Sequence, residues 1–144
     1  MQMTSTNRQA PAEATPERPP STWLVLIAWI TLFEVGLLMR LGRLKTVQHT
    51  LKRRALYHGS GCRSEADICT AVDFACVLYF KQVLCLQRSA ATALLLRRHG
   101  CEATMVIGVR SFPFRSHAWV EASGRIVNDK SYIRDIYSVL APVE

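Results

Sequence analysis

The sequence of 144 residues lacks the patterns by which nucleic-acid-binding proteins are recognised. It has no zinc-finger spacing, no helix-turn-helix pattern and no aromatic-basic RNA-binding signature. Its net charge of +7 comes from 18 basic and 11 acidic side chains. We attribute most of that charge to a solvated surface with a weak attraction to acidic partners. The sequence therefore predicts no nucleic-acid partner.

A secretory signal with a cleavage site is also absent, and the five cysteines are odd in number. Both features favour thiols in a reducing cytoplasm over a disulfide framework. Cys62, Cys69 and Cys76 recur every seven residues, so on one helix neighbouring thiols would lie about 10.5 Å apart along the axis. Because one zinc ion cannot join ligands at that distance, we expect no metal site and no cofactor. Cys69 and Cys76 are interpreted as small apolar core residues.

No apolar run near the N-terminus is long and free of charge. Residues 1–22 are rich in proline and small polar residues and predict a disordered tail, which leaves residues 23–144 as a single domain. In residues 23–41 the uncharged stretch ends at Glu34, well short of the roughly 20 apolar residues of a spanning helix. We predict a buried or interfacial helix in the cytoplasm. Membrane association is the alternative, because basic residues follow, beginning with Arg40, Arg43 and Lys45.

The rest of the chain divides into helices followed by strands. Ser64 is a suitable N-cap for a helix that ends near residue 80, and a second helix is predicted over residues 86–98, with Gly100 after its end. Short strands are predicted over residues 104–109, 116–121 and 125–129, and residues 131–140 are expected to form a last strand or helix. This order indicates an α+β fold with N-terminal helices and a small antiparallel sheet.

Cys85 is a candidate nucleophile because it lies at the start of the second predicted helix. The partial positive charge of a helix N-terminus favours thiolate, which is the nucleophilic form of cysteine. The free N–H groups of the first helical turn could also hold an oxyanion. Gln82 and Tyr79 precede Cys85 closely, and either one could donate a further hydrogen bond to that oxyanion.

His117 and Asp129 are the candidate partners of this cysteine. Strand alternation places His117, Trp119 and Glu121 on one face. A three-residue loop ending in Gly124 would make His117 face Asp129, with Cβ atoms about 5 Å apart. The carboxylate could then orient the imidazole for work on Cys85. A two-residue turn would instead turn Asp129 to the opposite face.

These residues carry a resemblance to the transglutaminase-like and papain-like superfamily, in which a helix-initial Cys precedes a His and an Asp on adjacent strands. More narrowly, the chain resembles the leader peptidases of lasso-peptide biosynthesis. The resemblance lies in two stretches, Cys85-Leu86-Gln87-Arg88-Ser89 and His117-Ala118-Trp119-Val120-Glu121, and in the apolar helix and strand between them. The family often has proline where Gln87 stands.

The resemblance implies a Cys85–His117–Asp129 triad that removes the leader from a ribosomally made precursor peptide. It also implies two further partners, a separate leader-recognition protein and a lasso cyclase that acts afterwards. No recognition domain is expected within the chain, because the helices of the catalytic domain begin near Trp23. Two alternatives stay open: another acyl-transfer enzyme on the same fold, such as a transglutaminase or amide synthase, and a non-enzymatic membrane-associated adaptor.

Overall fold

The structure, a computed structural model, describes residues 20–42 and 64–143. Most of the predicted tail and Cys62 lie outside these ranges, so the division into a tail and one domain stays a prediction. Helices come first and strands follow, which confirms the α+β prediction. The elements are α1 (Thr22–Arg40), α2 (Glu65–Val77), α3 (Cys85–Arg98), β1 (Ala103–Arg110), β2 (Arg115–Ala122), β3 (Arg125–Ile126), the short helix α4 (Ile133–Ile136) and β4 (Ser138–Val143).

Helix α3 is the central element of the fold. It contacts α1 and α2 and also packs against strands β1 and β2. A helix that is apolar and buried on nearly every side belongs inside a domain rather than on its surface. Small side chains let its neighbours approach closely. Its buried residues are Gln87, Ser89, Ala90, Ala91, Thr92, Ala93, Leu94, Leu95 and Leu96.

Helix α1 covers this central helix with one face. The buried residues of α1 recur at helical spacing and include Leu24, Ala28 and Leu32. On its other face large apolar side chains stay exposed: Trp23, Leu26, Ile30, Phe33 and Leu37. By length and composition α1 could cross a membrane, a property that core helices and signal sequences share. The choice between a buried or interfacial helix and a membrane-associated one stays a prediction, as does the cellular location.

The four strands form one antiparallel sheet in the order β3-β2-β1-β4. Val120 and Ala122 of β2 join the core between sheet and helices. Trp119 points the other way and packs with Val106 and Ile133 in a second, smaller cluster. Alternation along β2 therefore follows the prediction.

Gly108 makes room for the aromatic side chains of the second cluster. It pairs with His117 across β1 and β2. A Cβ atom at this position would lie 2.7 Å from the Trp119 ring and 2.9 Å from the Cβ of Tyr137. Both distances are shorter than van der Waals contact allows. The missing side chain thus lets Trp119 and Tyr137 pack beside the histidine.

The turn between β2 and β3 differs from the predicted three-residue loop. Ala122 pairs with Arg125 and Glu121 with Ile126, so the turn contains only Ser123 and Gly124. Both residues have positive φ angles, 51° and 76°. Two successive positive φ angles are the geometry of a type I′ turn, whose twist matches that of the flanking strands. The predicted register was therefore wrong by one residue.

Asp129 nevertheless reaches His117, because β3 ends at Ile126 rather than at the predicted residue 129. The Val127 N–H still donates to the Val120 carbonyl at 3.0 Å. In a continued antiparallel ladder the Val120 N–H would donate back to the Val127 carbonyl. Instead it donates to the side-chain Oδ1 of Asn128 at 2.7 Å. The backbone leaves the ladder at this point, so strict alternation no longer decides the side on which Asp129 lies.

The buried side chain of Asn128 fixes the point at which the backbone leaves the ladder. Its side chain is buried, and its amide nitrogen donates to Ser89 Oγ at 3.0 Å, which joins the strand end to helix α3. Ser89 Oγ in turn donates to the Ala118 carbonyl at 2.8 Å. One side chain therefore satisfies a buried N–H of β2 and links the sheet to the central helix.

We predict that Asn128→Ala lowers the free energy of unfolding by about 2 kcal/mol, because it leaves the Val120 N–H buried without an acceptor. The measurement is urea unfolding followed by circular dichroism. Ser131→Ala is the control, since Ser131 is exposed three residues away, and a change under about 0.5 kcal/mol is expected there. Equal effects of the two substitutions would show that Asn128 does not hold the strand end.

Candidate active site

Cys85 is the first residue of α3, one position earlier than the predicted start of that helix. The preceding Leu84 is extended, and no side chain in the described residues caps the helix. The N–H groups of the first turn are therefore available to an oxygen atom of a bound substrate. The Cys85 thiol is free and half-buried. A reduced cysteine at an uncapped helix start is what the sequence predicts.

Three consecutive side chains after Cys85 attach this end of α3 to three different elements. Gln87 Nε2 donates to the Leu32 carbonyl of α1 at 2.9 Å. Arg88 forms an ion pair with Asp73 of α2 at 2.6 Å, and Ser89 Oγ bonds to the Ala118 carbonyl of β2. The position of the cysteine is thus fixed relative to both helices and to the sheet.

His117 and Asp129 are in direct contact, which confirms the predicted pairing of these two side chains. His117 Nε2 lies 2.7 Å from Asp129 Oδ2. The second carboxylate oxygen, Oδ1, accepts a hydrogen bond from the Lys130 N–H at 2.8 Å. Each of the two side chains keeps about a fifth to a quarter of its surface exposed, 24% for His117 and 21% for Asp129. The pair therefore lies at the border between core and solvent.

Asp129 is held in its ionised form. Burial raises the pKa of its carboxyl, but the hydrogen bonds from His117 and from the Lys130 N–H lower that pKa, as do the charges of His117 and Arg88. The net pKa lies below the ordinary value. At neutral pH Asp129 is thus an acceptor only, and it can hold a proton on the Nε2 atom of His117.

The imidazole of His117 is also held by its neighbours in the second cluster. Its ring lies 5.5 Å from that of Tyr137 and 6.4 Å from that of Trp119, measured between centroids. Trp119 Nε1 donates to Glu121 at 2.8 Å. Because Nε2 is bonded to Asp129, Nδ1 is the nitrogen left for chemistry. Nδ1 has no hydrogen-bond partner among the described residues.

Glu121 is fixed between Trp119 and Arg134. A hydrogen bond from Arg134 lowers the pKa of the Glu121 carboxyl, burial raises it, and the Trp119 N–H and the Arg134 charge lower it further. The net pKa is lowered, so Glu121 is a carboxylate at neutral pH. It anchors the indole that packs beside His117.

The third predicted residue, Cys85, forms no hydrogen bond to this pair in the described part of the chain. Within residues 64–143 the thiol and the imidazole are not hydrogen-bonded. The two are linked through the first turns of α3. Ser89 of this helix donates to the carbonyl of Ala118, the residue after His117. That carbonyl lies on the edge of β2 that is uncovered because β3 ends at Ile126. Arg88 lies near enough for its charge to act on Asp129. In enzymes without substrate, the hydrogen bonds between reacting groups are often long or poorly aligned.

The other cysteines have different environments. Burial, aided by the charge of Asp73, raises the pKa of the Cys69 thiol to about 11, and burial also raises the pKa of Cys76. Both are poor nucleophiles at neutral pH. Cys101 is disulfide-bonded. The expectation of thiols only was wrong for this residue, because an odd count does not exclude one pair.

Metal-binding side chains are not clustered in the described ranges. No group of three or more His, Cys, Asp or Glu side chains is arranged there to hold a metal ion. Gln82 and Tyr79, the two candidate oxyanion partners, both line a groove between α1 and the chain that leads into α3.

Sequence reasoning missed three residues that support the site. Ser89 lies four residues after Cys85 and therefore on the same helical face, which is a signal that could have been used. Asn128 precedes Asp129, and an Asn-Asp pair favours side-chain bonds to nearby backbone over a continued strand. Gln87 left no such signal, since its partner in α1 is 55 residues away.

Known proteins resemble this chain in sequence. Residues 29–141, which is most of the chain, match the family model of the transglutaminase-like superfamily. The microcin J25-processing protein McjB of Escherichia coli is 44% identical over 59 residues, which are 41% of this chain and 28% of that protein. The match thus spans little more than a quarter of the relative's length. No solved structure matches the chain. On the extent of the family match, the chain belongs to the transglutaminase-like superfamily.

Proposed function

We propose that this protein is a cysteine peptidase that removes the leader from a lasso-peptide precursor, with Cys85, His117 and Asp129 as its triad. The observation that carries the proposal is the 2.7 Å contact between His117 Nε2 and Asp129 Oδ2. It lies at the sheet edge that is joined to the start of the Cys85 helix. The likeness to a protein named for processing microcin J25 supports the choice of substrate class.

In the first step Cys85 attacks the carbonyl carbon of the scissile peptide bond. The thiol proton passes to His117 Nδ1, and the S–C bond forms as the carbonyl becomes an oxyanion. The free N–H groups at the start of α3 would donate to that oxyanion. Asp129 stabilises the imidazolium and keeps its Nε2 proton in place.

In the second step the C–N bond breaks, and His117 gives its Nδ1 proton to the leaving amine. That amine is the new N-terminus of the released C-terminal part. The leader stays on Cys85 as a thioester. Water then attacks the thioester carbonyl carbon while His117 Nδ1 takes a proton from that water. The S–C bond breaks, the proton passes from Nδ1 to the Cys85 sulfur, and the leader departs with a free carboxylate. The triad thus returns to its starting state.

The partners are part of the same proposal. The precursor peptide is the substrate, a separate recognition protein holds its leader near Cys85, and a cyclase closes the ring after cleavage. A second chain that binds the leader would raise the local concentration of the scissile bond even if each contact is weak. Cleavage is therefore best measured both with and without that protein.

A transglutaminase or amide synthase is the second candidate, because the family match fits it equally well. It would form the same thioester on Cys85, and an amine rather than water would then attack. The mass of the leader product separates the two reactions. Hydrolysis leaves a carboxylic acid, whereas transfer leaves an amide.

We predict that Cys85→Ala abolishes leader cleavage, whereas Cys69→Ala and Cys76→Ala leave the rate within about threefold of the parent, because both are partly buried side chains of α2 whose loss acts mainly on stability. The reason is that burial raises the pKa of both control thiols. The assay is mass spectrometry of a precursor incubated with the enzyme and the recognition protein. Normal cleavage by Cys85→Ala would refute the nucleophile.

Asp129→Asn is predicted to lower kcat by a factor on the order of 10² to 10⁴, as expected when the group that orients a catalytic histidine is lost. An amide can donate to Nε2 and so favour the wrong tautomer. Asp135→Asn is the matched control, since Asp135 is exposed on α4, and its rate should not change. Similar activity of both variants would mean that Asp129 has only a structural role.

A further inference from the structure

A groove with a volume of about 950 Å³ lies between the C-terminal half of α1 and the chain that leads into α3. Its walls are mainly apolar, and two basic side chains contribute to its lining. The lining residues that matter here are Phe33, Leu37, Arg40, Lys81, Leu84 and Gln87. It is large enough for several residues of an extended peptide.

Two residues that line the groove are close to the candidate nucleophile in sequence. Leu84 directly precedes Cys85 and Gln87 follows it by two positions, so the groove lining flanks the thiol in sequence. Gly36 lets this end of α3 approach α1, because a Cβ there would lie 2.7 Å from Gln87 Nε2. The groove therefore lies where the first turn of α3 packs against α1.

The groove and His117 lie on opposite sides of α3. The helix is central: α1 contacts it from the helical layer, and β2, which carries His117, contacts it from the sheet. The groove belongs to the α1 side. A peptide bound across Cys85 would thus have one end beside His117 and the other end in the groove.

The chemistry of peptide cleavage decides which end is which. His117 must give its proton to the leaving amine, so the segment C-terminal to the cleaved bond must pass the imidazole. The acyl side, meaning the residues N-terminal to that bond, must then extend away from His117. We propose that the groove binds the acyl side of the substrate and prefers bulky apolar side chains together with an acidic one. This inference rests on the proposed peptidase chemistry.

The preference follows from what the groove exposes. Phe33, Leu37 and Leu84 are 44%, 48% and 66% exposed, so apolar substrate side chains would remove their surface from water. Arg40 and Lys81 form no ion pair with a carboxylate in the described part of the chain. A substrate carboxylate could therefore pair with these two cations.

Peptide ketones that alkylate a cysteine from the acyl side test the preference without a precursor. The probes are the acyloxymethyl ketones of acetyl-Glu-Leu-Leu-Ala and acetyl-Lys-Ser-Ser-Ala, used with the full chain. The rate at which each labels Cys85 is followed by mass spectrometry of the peptide that contains it. We expect the acidic apolar probe to react about tenfold faster. Equal rates would overturn the proposal, as would reaction of Cys85 with iodoacetamide but with neither ketone.

A matched pair of substitutions on α1 separates the groove from general effects on that helix. Leu37 and Leu26 are 48% and 47% exposed, and only Leu37 belongs to the groove. Leu37→Ser should slow the acidic apolar probe about fivefold, whereas Leu26→Ser should leave its rate unchanged. Equal losses in the two variants would contradict the assignment.

Charge reversal tests the role of the two basic side chains. In the double variant Arg40→Glu, Lys81→Glu, the ketone of acetyl-Lys-Leu-Leu-Ala should react faster than that of acetyl-Glu-Leu-Leu-Ala. The parent should show the opposite order. If the variant still reacts faster with the glutamate ketone, the groove has no charge-based preference for an acidic residue.

The outcomes also distinguish the groove from the peptidase activity. If precursor cleavage depends on Cys85 but the two ketones label Cys85 at equal rates, the peptidase activity is supported and the proposed substrate preference of the groove is wrong. The expected labelling preferences without precursor cleavage would keep an acyl-side groove beside a reactive cysteine and reject the leader peptidase.

Discussion

The position of the first turns of α3 is the constraint on which the rest of the site depends. Gln87, Arg88 and Ser89 are consecutive, and each bonds to a different element: α1, α2 and β2. Neighbouring positions on a helix point about 100° apart, so three successive side chains can reach three surroundings at once. Because Cys85 lies just before them, its place between the helices and the sheet is set by contacts that involve no reacting atom.

The second requirement is that β3 ends early, so that the edge of β2 is uncovered where the start of α3 bonds to it. A longer β3 would cover the edge of β2, and strand alternation would carry Asp129 away from His117. Asn128 ends the ladder, because its Oδ1 atom accepts the hydrogen bond from the Val120 N–H and its amide nitrogen donates to Ser89. The His117–Asp129 contact and the site of Cys85 are thus tied together through Ser89. Preorganisation of this kind would reduce the motion that the proposed reaction requires.

Much of this arrangement could be predicted from sequence, because local patterns decide it. Periodicity located the helices and strands, and the helix start identified Cys85. Strand alternation placed His117 beside Trp119, as the structure shows. The turn could not be predicted in the same way, because Gly124 fits both a two-residue and a three-residue loop. The pairing of His117 with Asp129 was correct although its register was wrong, since a long-range contact of Asn128 with α3 decides where the strand ends.

We propose that the leader passes through a thioester on Cys85, between the oxyanion site at the start of α3 and the His117–Asp129 pair. Cleavage of the precursor in the presence of hydroxylamine tests it most directly, with the leader product weighed by mass spectrometry. A thioester reacts with hydroxylamine, so the account predicts a leader that ends in a hydroxamate, formed by the parent and not by Cys85→Ala. A leader that ends only in a carboxylic acid, at an undiminished rate of cleavage, would contradict the covalent mechanism.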